Sequence, residues 1–519
     1  MSSALPGQFH GGLVLDGQKS LSNHSPIRKI SLPARLFFPL GQRHGGDARP
    51  WVRPGDRVLR GSLLAGGEHP LDPPIHASSS GHVTGIGTRP IPHPAASLGT
   101  SIVIEPDELD EPAAPLPVLR LDECSPEAML ARIHAAGIVG LGGGAFPTAA
   151  KLSTGKTPID TLILNGAECE PYITADDQLL RARASEVLQG AELLRRLLGA
   201  KHTLIAIEND MPLALKAIED ARAAGGFEQI RVVQVPARYP AGGEKQLIQM
   251  LTGREVPAGA LPSVIGVLCQ NVATAAAIHR AINLGEVLLS RIVTVTGRGV
   301  REPGNLEVRL GTPLAHLIAE CGGYTDDAER LILGGPMMGY AVATDQVPVV
   351  KAVNAILVAG AGELAGPRES LPCIRCGACA EVCPANLLPQ QLFWHASARQ
   401  LQRTLDHQLF DCIECGCCDV VCPSHIPLVQ QFQSTKLEAL AQQQERNKAD
   451  QARRRFEARR ARLAEEQRER ERAAQQRKAG LVKGATPHIQ EALARARLKR
   501  ASQQSAPKDK TDESPRDAD

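Results

Sequence analysis

One cysteine pattern occurs twice in this chain, as Cys373-Ile-Arg-Cys-Gly-Ala-Cys-Ala-Glu-Val-Cys-Pro384 and as Cys412-Ile-Glu-Cys-Gly-Cys-Cys-Asp-Val-Val-Cys-Pro423. Both runs have the spacing C-x2-C-x2-C-x3-C-P. Three thiolates on such a short loop can face one iron–sulfur cube, and the small residues between them let backbone N–H groups approach the sulfurs. The fourth cysteine starts the next helix and reaches across to the other cube. The repeat therefore predicts an α-helical domain built around two metal clusters.

The spacing is typical of bacterial-type ferredoxins that hold two [4Fe–4S] clusters. The first cluster is predicted on Cys373, Cys376, Cys379 and Cys422. The second cluster is predicted on Cys383, Cys412, Cys415 and Cys418. The alternative is two structural zinc sites, since C-x2-C pairs also suit zinc. A zinc site has no use for a third cysteine and a following proline, so the repeat favours clusters.

The remaining cysteines carry a weaker signal. Cys417 lies inside the second run, where it is a neutral neighbour or an alternative ligand, and the spacing favours Cys418. Buried, unligated thiols are expected at Cys124, Cys169, Cys269 and Cys321.

Length and composition exclude two classes of protein. The 519 residues carry a net charge of +2 and are 43% hydrophobic, which is ordinary for a globular chain of several domains. No run approaches the ~20 apolar residues of a membrane-spanning helix. Residues 1–10 also lack the basic and apolar regions of a secretory signal. An integral membrane protein and a secreted disulfide scaffold are thus excluded, and the cysteines are expected in a reducing compartment.

The other segments predict a multidomain α/β and β protein. Residues 1–115 place short apolar runs between turn signals, and they resemble barrel-sandwich and lipoyl-carrier modules. No exposed lysine lies in the hairpin where a lipoyl group would be attached, so a structural β module is favoured. Residues 286–350 resemble the β-grasp fold of soluble-ligand-binding domains, where a bound ligand and a structural role are both open. The cysteine runs define ferredoxin-type segments at 364–393 and 403–432.

The C-terminal tail has a composition of its own. Residues 436–519 contain 22 Lys and Arg against 14 Asp and Glu, and they are rich in Ala and Gln. This composition predicts charged, solvated helices over 436–500, followed by disorder over 501–519. Nucleic-acid binding by the tail is a weaker alternative, because few aromatic residues accompany the charge.

Residues 116–285 alternate strands with helices and predict a mostly parallel sheet. The predicted strands are Thr161–Leu164, Thr203–Ile207, Ile230–Val235 and Val264–Leu268. The predicted helices include Ala184–Leu198 and Pro212–Ala224. Because ligands gather at the carboxyl ends of parallel strands, the polar residues that follow these strands are expected to share one site.

A glycine-dense turn, Gly137-Ile-Val-Gly-Leu-Gly-Gly-Gly-Ala-Phe-Pro147, precedes a helix that carries Lys151. The amides of such a turn can close on a phosphate, and the lysine adds positive charge. Glycine-rich loops also serve as plain tight turns, but the polar residues at three nearby strand ends favour a nucleotide site. The following Gly155-Lys156-Thr157 imitates a P-loop, yet it lacks the first glycine and follows a helix, so an ATPase is rejected.

The glycine turn, the Asn165-Gly-Ala-Glu-Cys-Glu-Pro171 stretch and the Gly-Glu pair at Gly243 resemble the flavin- and NADH-binding subunit of respiratory complex I. The order of all segments to about residue 435 resembles the C-subunit family of the Rnf ion-translocating electron transport complex, also known as the SoxR-reducing complex. The resemblance implies an FMN held by Gly142, Gly143, Gly144, Lys151, Asn165, Gln270, Asn271 and Thr274. It implies NADH close to Phe146, Glu168, Glu170 and Glu244. One departure is Ala167, where the complex I pattern has an acidic residue.

The resemblance also implies a function. The expected enzyme is an oxidoreductase and translocase subunit that passes electrons between NADH and ferredoxin-type carriers, because a flavin exchanges two electrons with NADH and one with a cluster. Implied partners are a ferredoxin-like subunit and membrane flavin subunits, and the implied location is the cytoplasmic face of the bacterial inner membrane, as a peripheral protein. No catalytic side chain and no nucleic-acid partner are predicted. The alternatives are a soluble flavin and iron–sulfur reductase similar to cobalamin reductases, and a non-catalytic iron–sulfur scaffold.

Overall fold

The computed structural model describes residues 7–41, 48–66, 69, 71–119, 124–153, 157–366, 368–484 and 486–504. The chain divides into two compact units, Met1–Lys436 and Leu437–Asp519. All the predicted cofactor residues belong to the first unit. Residues 154–156, part of the rejected P-loop-like segment, lie outside the described residues.

The N-terminal module is built from antiparallel strands. Its larger sheet consists, in spatial order, of Leu36–Pro39, Leu98–Pro106, Gly81–Pro90 and Arg57–Val58. Phe38 lies opposite Ile102 in this sheet, and both side chains are buried. Because side chains alternate between the two faces of a strand, one face of the sheet joins the core. A second sheet pairs Leu63–Ala65 with Ile75–His76.

The central domain contains a four-stranded parallel sheet, as predicted. Its strands, in spatial order, are Ile230–Val235, His202–Glu208, Thr161–Gly166 and Val267–Asn271. Its helices are Pro126–Ala135, Thr148–Leu152, Ala175–Leu198, Pro212–Gly225, Glu244–Thr252 and Val272–Asn283. Leu164 packs in the cluster that contains Leu188, whereas Ile163 packs with Leu247. Both faces of the strand are therefore covered, which explains its continuous apolar run.

Two elements of this domain differ from their predicted bounds by three or more residues. The last strand begins at Val267, because Pro262–Ile265 form a 3-10 turn that ends at Gly266. The long helix begins at Ala175, since Asp176 and Asp177 occupy its first turn, where carboxylates favour a helix N-terminus.

The β-grasp unit has a six-stranded mixed sheet around one helix, Leu314–Glu320. Its strands, in spatial order, are Arg28–Lys29, Gly304–Arg309, Ser290–Thr296, Ala355–Gly360, Ala328–Leu333 and Tyr340–Ala341. The strand Ala355–Gly360 is buried along its whole length, although it follows residue 350, where the predicted unit ended. The unit is therefore longer than its sequence pattern indicated.

The two cysteine runs fold alike. Each run continues into a single helical turn, Ala378–Glu381 or Cys417–Val420. The turns follow Gly377 and Gly416, whose φ angles of 83° and 79° lie in the left-handed region that favours glycine. The helices Pro389–Ser397 and Leu401–Asp406 connect the runs.

The tail is helical over Leu428–Lys483 and Pro487–Gln504. The second helix extends into the segment predicted to be disordered, and residues 505–519 lie outside the described residues. In the part of the chain that the structure describes, no helix has the length and apolar character needed to cross a membrane.

Candidate cofactor sites

The two cysteine runs and the helices that connect them form what we call the ferredoxin module. It contains two cavities that are lined by cysteines. The first is lined by Cys373, Cys376, Cys379 and Cys422. The second is lined by Cys383, Cys412, Cys415, Cys417 and Cys418. Each cavity thus takes three of its predicted ligands from one run and the fourth from the other, in the arrangement that two-cluster ferredoxins use. Among the described residues, no group of three or more His, Cys, Asp or Glu side chains is close enough together to hold a single metal ion.

The surroundings of the thiols fit iron–sulfur clusters. Backbone N–H groups approach the sulfurs of Cys373, Cys383 and Cys422 at 3.4–3.5 Å, from Arg375, Leu387 and Ile426 respectively. Burial raises the pKa of the Cys412 thiol to about 11. A thiolate at that position therefore needs the positive charge of bound metal.

Cys417 packs beside one of the predicted ligands. It is fully buried in an apolar cluster with Tyr239 and Cys415, at the boundary with the central domain. It also lines the second cavity together with Cys418, so its two interpretations, a neutral neighbour and an alternative ligand, stay open.

The glycine turn presents open space in front of its backbone. A Cβ atom placed on Gly143 or Gly144 would meet no described atom within 4 Å. The base of the turn is fixed, since the amide of Leu141 donates a 2.9 Å hydrogen bond to Oγ1 of Thr274. Gly142 packs closely on Asn271, because a Cβ atom added to this glycine would lie 3.3 Å from that side chain. The turn therefore fits the phosphate and ring of a flavin, which need close backbone approach.

The polar residues at the strand ends lie beside this turn. Nδ2 of Asn165 donates to the carbonyl oxygen of Gly242 at 2.8 Å. Oδ1 of Asn271 caps its helix by accepting from the amide of Ala273. Nε2 of Gln270 is buried and has no hydrogen-bond partner among the described residues, as expected of a donor that faces a ligand.

Lys151 and Glu244 form an ion pair at 2.7 Å, with both side chains about one-third exposed. The pair joins the helix after the glycine turn to the helix that starts at Glu244. Phe146 is 39% exposed at the end of the turn. All three side chains are thus partly exposed to solvent.

Glu168 and Glu170 have structural contacts that the sequence pattern did not predict. Glu168 is buried and accepts the amides of Asp176 and Asp177, at the N-terminus of the long helix. Glu170 accepts the amides of Met337 and Met338 from the β-grasp unit, at 2.7 and 3.1 Å. Burial raises the pKa of both carboxyl groups, and that of Glu170 rises to about 7.

The buried contacts of Arg291 and Asp176 behind the glycine turn were not predicted, although their neighbour Asn271 was. Nη2 of Arg291 donates to the carbonyl oxygen of Leu141 at 2.8 Å. Asp176, whose pKa burial raises to about 6, accepts from Nδ2 of Asn271 at 2.6 Å and lies in the field of Arg291. No local pattern in the sequence identifies these residues, because their partners are more than 90 positions away.

Four family models match successive parts of the chain. They are the RnfC barrel sandwich hybrid domain at 7–109, the Nuo51 FMN-binding domain at 133–280, the SLBB domain at 292–341 and the 4Fe-4S dicluster domain at 372–426. These matches confirm the predicted fold classes and the predicted cofactors, FMN and two [4Fe–4S] clusters.

Among solved structures, the chain is similar to an NAD+-reducing [NiFe]-hydrogenase in the H2-reduced state. The sequence identity is 20% and the TM-score 0.43, over 60% of this chain and 62% of that chain.

Curated relatives cover most of the sequence. The C subunit of the ion-translocating oxidoreductase complex of Pseudomonas aeruginosa is 49% identical over 88% of this chain, which spans 58% of that protein's length. The protein of the same name from Pectobacterium atrosepticum is 44% identical over 95% of this chain and 71% of its own length. The chain therefore belongs to the C-subunit family of ion-translocating oxidoreductase complexes.

Proposed function

We propose that this chain accepts electrons from NADH and passes them singly to a protein partner within an ion-translocating complex. Bound FMN would supply the chemistry that links a two-electron hydride donor to one-electron clusters. The chain's own residues bind these groups, hold them at neighbouring sites and keep water from the buried thiols.

The observation that carries the proposal is the loop Tyr239–Glu244, which contacts both cofactor sites. At its start, Oη of Tyr239 donates a 2.6 Å hydrogen bond to the carbonyl oxygen of Cys415. Further along, Gly242 accepts from Asn165, and Glu244 pairs with Lys151. One short loop thus connects the proposed flavin site to the second cysteine cavity, which supports electron transfer between the two.

The proposed flavin site comprises Gly142, Gly143, Gly144, Lys151, Asn165, Gln270, Asn271 and Thr274. The open backbone of the glycines supports contact with phosphate and ring, and the unpaired donor of Gln270 supports a hydrogen bond to a ligand. We propose that NADH binds near Phe146 and Glu244. Glu168 and Glu170 would act near the NADH site by holding the backbone, because both already accept backbone amides.

The family relationship supports a membrane-bound assembly. Both relatives above are named as subunits of an ion-translocating oxidoreductase complex. We propose that this chain is a peripheral subunit on the cytoplasmic face of the inner membrane, with a ferredoxin-like subunit and membrane flavin subunits as partners. The excess of Lys and Arg after residue 436 supports this location, because cationic segments are drawn to anionic lipids.

Anaerobic addition of NADH to the purified, cofactor-loaded chain tests the proposal. Bleaching of flavin absorbance, followed by cluster absorbance, is the expected result. A protein that keeps its full flavin and iron content but shows no bleaching would contradict it. Copurification with membranes that is lost at high salt would separate the proposed subunit from a soluble reductase.

A further inference from the structure

The two cysteine loops have the same backbone but different surroundings. Cys373-Ile374-Arg375-Cys376 corresponds to Cys412-Ile413-Glu414-Cys415, and Arg375 and Glu414 share the same left-handed conformation, with φ angles of 58° and 59°. In the second loop Cys415 is 7% exposed, and Ile413 packs with Tyr239 and Cys417. In the first loop Ile374 is 69% exposed, and Cys376 is also exposed. The chain therefore covers one of two equivalent faces.

The covered face contacts the central domain and the N-terminal residues His10 and Gly12. The amide of Gly12 donates to the carbonyl oxygen of Val382 at 2.9 Å, and His10 contacts the carbonyl oxygen of Cys383 at 3.0 Å. Gln246 donates to the carbonyl oxygen of Pro384 at 3.1 Å. All of these contacts fall on the side of the second cavity, which leaves the first cavity facing outward.

The open face has the composition of a protein-binding surface. We define it by Leu371, Ile374, Arg375, Cys376 and Trp394. Leu371 is 53% exposed, and the guanidinium of Arg375 lies 4.8 Å above the centre of the Trp394 ring. Arginine and tryptophan side chains are enriched at the centres of protein interfaces, and the exposed side chains of Leu371 and Ile374 add apolar area beside them.

The charge of the open face indicates the kind of partner. At the covered face, Glu414 is paired with Lys436 at 2.7 Å. At the open face, Arg375 takes the place of Glu414, and no described carboxylate forms a salt bridge with it. Arg403 also forms no salt bridge with a described carboxylate. Its guanidinium donates to Oε1 of Gln400, which also contacts Nδ1 of His395, the residue after Trp394. The open face thus presents exposed apolar side chains beside the guanidinium of Arg375, where the covered face has the carboxylate of Glu414.

We infer that the open face docks an acidic protein that carries one electron at a metal cluster. The inference rests on the proposed function and adds the surface and the charge of the partner. Docking there brings a carrier next to Cys376; the carrier gains one electron, the chain loses one, and no proton or group is transferred. Small, transient interfaces of this kind suit electron carriers, which must also leave.

Binding of an acidic bacterial two-cluster ferredoxin, in its oxidised form, to the cluster-loaded chain tests the inference without NADH. At low ionic strength, Ile374→Asp, Leu371→Asp and Arg375→Glu are each expected to weaken binding about tenfold. Leu388→Asp, which adds the same charge at a half-exposed position beside the second cavity, and Arg231→Glu on the edge strand are the matched controls; both should change binding less than about twofold. Leu371 lies outside the cysteine loop, so this variant remains informative if the other two lose iron.

Two results would overturn the inference. One is unchanged binding in all three variants at full iron content, and the other is equal weakening in the Leu388→Asp control. The electron-transfer rate from dithionite-reduced chain to the same ferredoxin should fall in parallel with binding. Because neither measurement uses NADH, their failure is distinguishable from failure of the proposed NADH reaction, which is read from flavin bleaching in the unmutated chain.

Discussion

The hydroxyl of Tyr239 donates a 2.6 Å hydrogen bond to the carbonyl oxygen of Cys415, across the boundary between the flavin-binding domain and the ferredoxin module. Tyr239 is 3% exposed, and the amide and carbonyl of the same residue pair with Leu13. The cysteine loop is thus fixed against the domain from which its electrons are proposed to come.

Replacing Tyr239 by Phe should destabilise this boundary. The substitution removes the donor and leaves a buried carbonyl oxygen unpaired, which costs about 1–2 kcal/mol of unfolding free energy. Urea denaturation measures the change. Tyr324→Phe is the control, because its hydroxyl donates to Asp345 at the surface, and a loss below about 0.5 kcal/mol is expected there. Equal losses in both variants would contradict the special role of the Cys415 contact.

Gly11→Ala should detach the N-terminal segment from the ferredoxin module. Gly11 has a φ of +66°, and a Cβ there would lie 2.5 Å from the carbonyl oxygen of Val382. Limited proteolysis near residue 11 should become faster. The unfolding free energy should fall by about 3 kcal/mol or more, because the cost of backbone strain adds to the cost of the backbone clash. Gly55→Ala separates the two effects, because Gly55 has a φ of +96° but open space around it. Equal losses of unfolding free energy in the two variants would mean that backbone strain alone explains the result, and that the contact with Val382 contributes nothing.

Filling the glycine turn should weaken flavin binding without weakening the fold. A Cβ atom at Gly144 meets no described atom within 4 Å, so Gly144→Val is expected to change the unfolding free energy by less than about 0.5 kcal/mol. The added methyl groups would occupy the proposed flavin space, and FMN affinity should fall about tenfold or more, a loss of about 1.4 kcal/mol. Fluorescence titration of FMN measures this affinity. Gly87→Val, at another open glycine, should leave it unchanged.

The sequence predicted the cysteine cavities better than it predicted the carboxylates. Ligand spacing is a local property, so the residues around Cys376 and Cys415 could be assigned from the pattern alone. Glu168 and Glu170 follow a strand and resemble ligands in the sequence, but their amide partners are set by tertiary folding. For Glu170 that partner, Met337, is 167 positions away. The strand Ala355–Gly360 was missed for a related reason, because its place in the sheet depends on pairing with Ser290–Thr296, which is distant in the sequence.

The structural role of Glu170 predicts a pH dependence of stability. Burial raises its pKa from 4.5 to about 7, so between these values the folded state binds more protons than the unfolded state. The contribution of Glu170 to stability is therefore full below pH 4.5 and falls as the pH rises towards 7, by up to about 3 kcal/mol. Glu170→Gln keeps an oxygen for the amides of Met337 and Met338 and should remove this share of the decline, while the share from the buried carboxyls of Glu168 and Asp176 remains. Urea denaturation at pH 5 and pH 7.5 checks it, with Glu228→Gln, on the surface, as the control. Parallel pH profiles for Glu170→Gln and the unmutated chain would contradict the assignment.

The crossed arrangement of the cysteines predicts which variants resemble one another. Cys383 belongs to the first run but lines the second cavity, so Cys383→Ala should lose the same cluster as Cys415→Ala and keep the other. Electron paramagnetic resonance of the reduced protein, with iron analysis, should show one cluster of the same type in both variants, because the four thiols of the first cavity remain. Cys376→Ala should instead leave the second cluster, and Cys417→Ala should retain both if Cys418 is the ligand. A Cys383→Ala spectrum that matches the Cys376→Ala spectrum would show that each run holds its own cluster. That outcome would contradict the proposed order of the clusters, in which the second cavity faces the flavin domain and the first faces the partner.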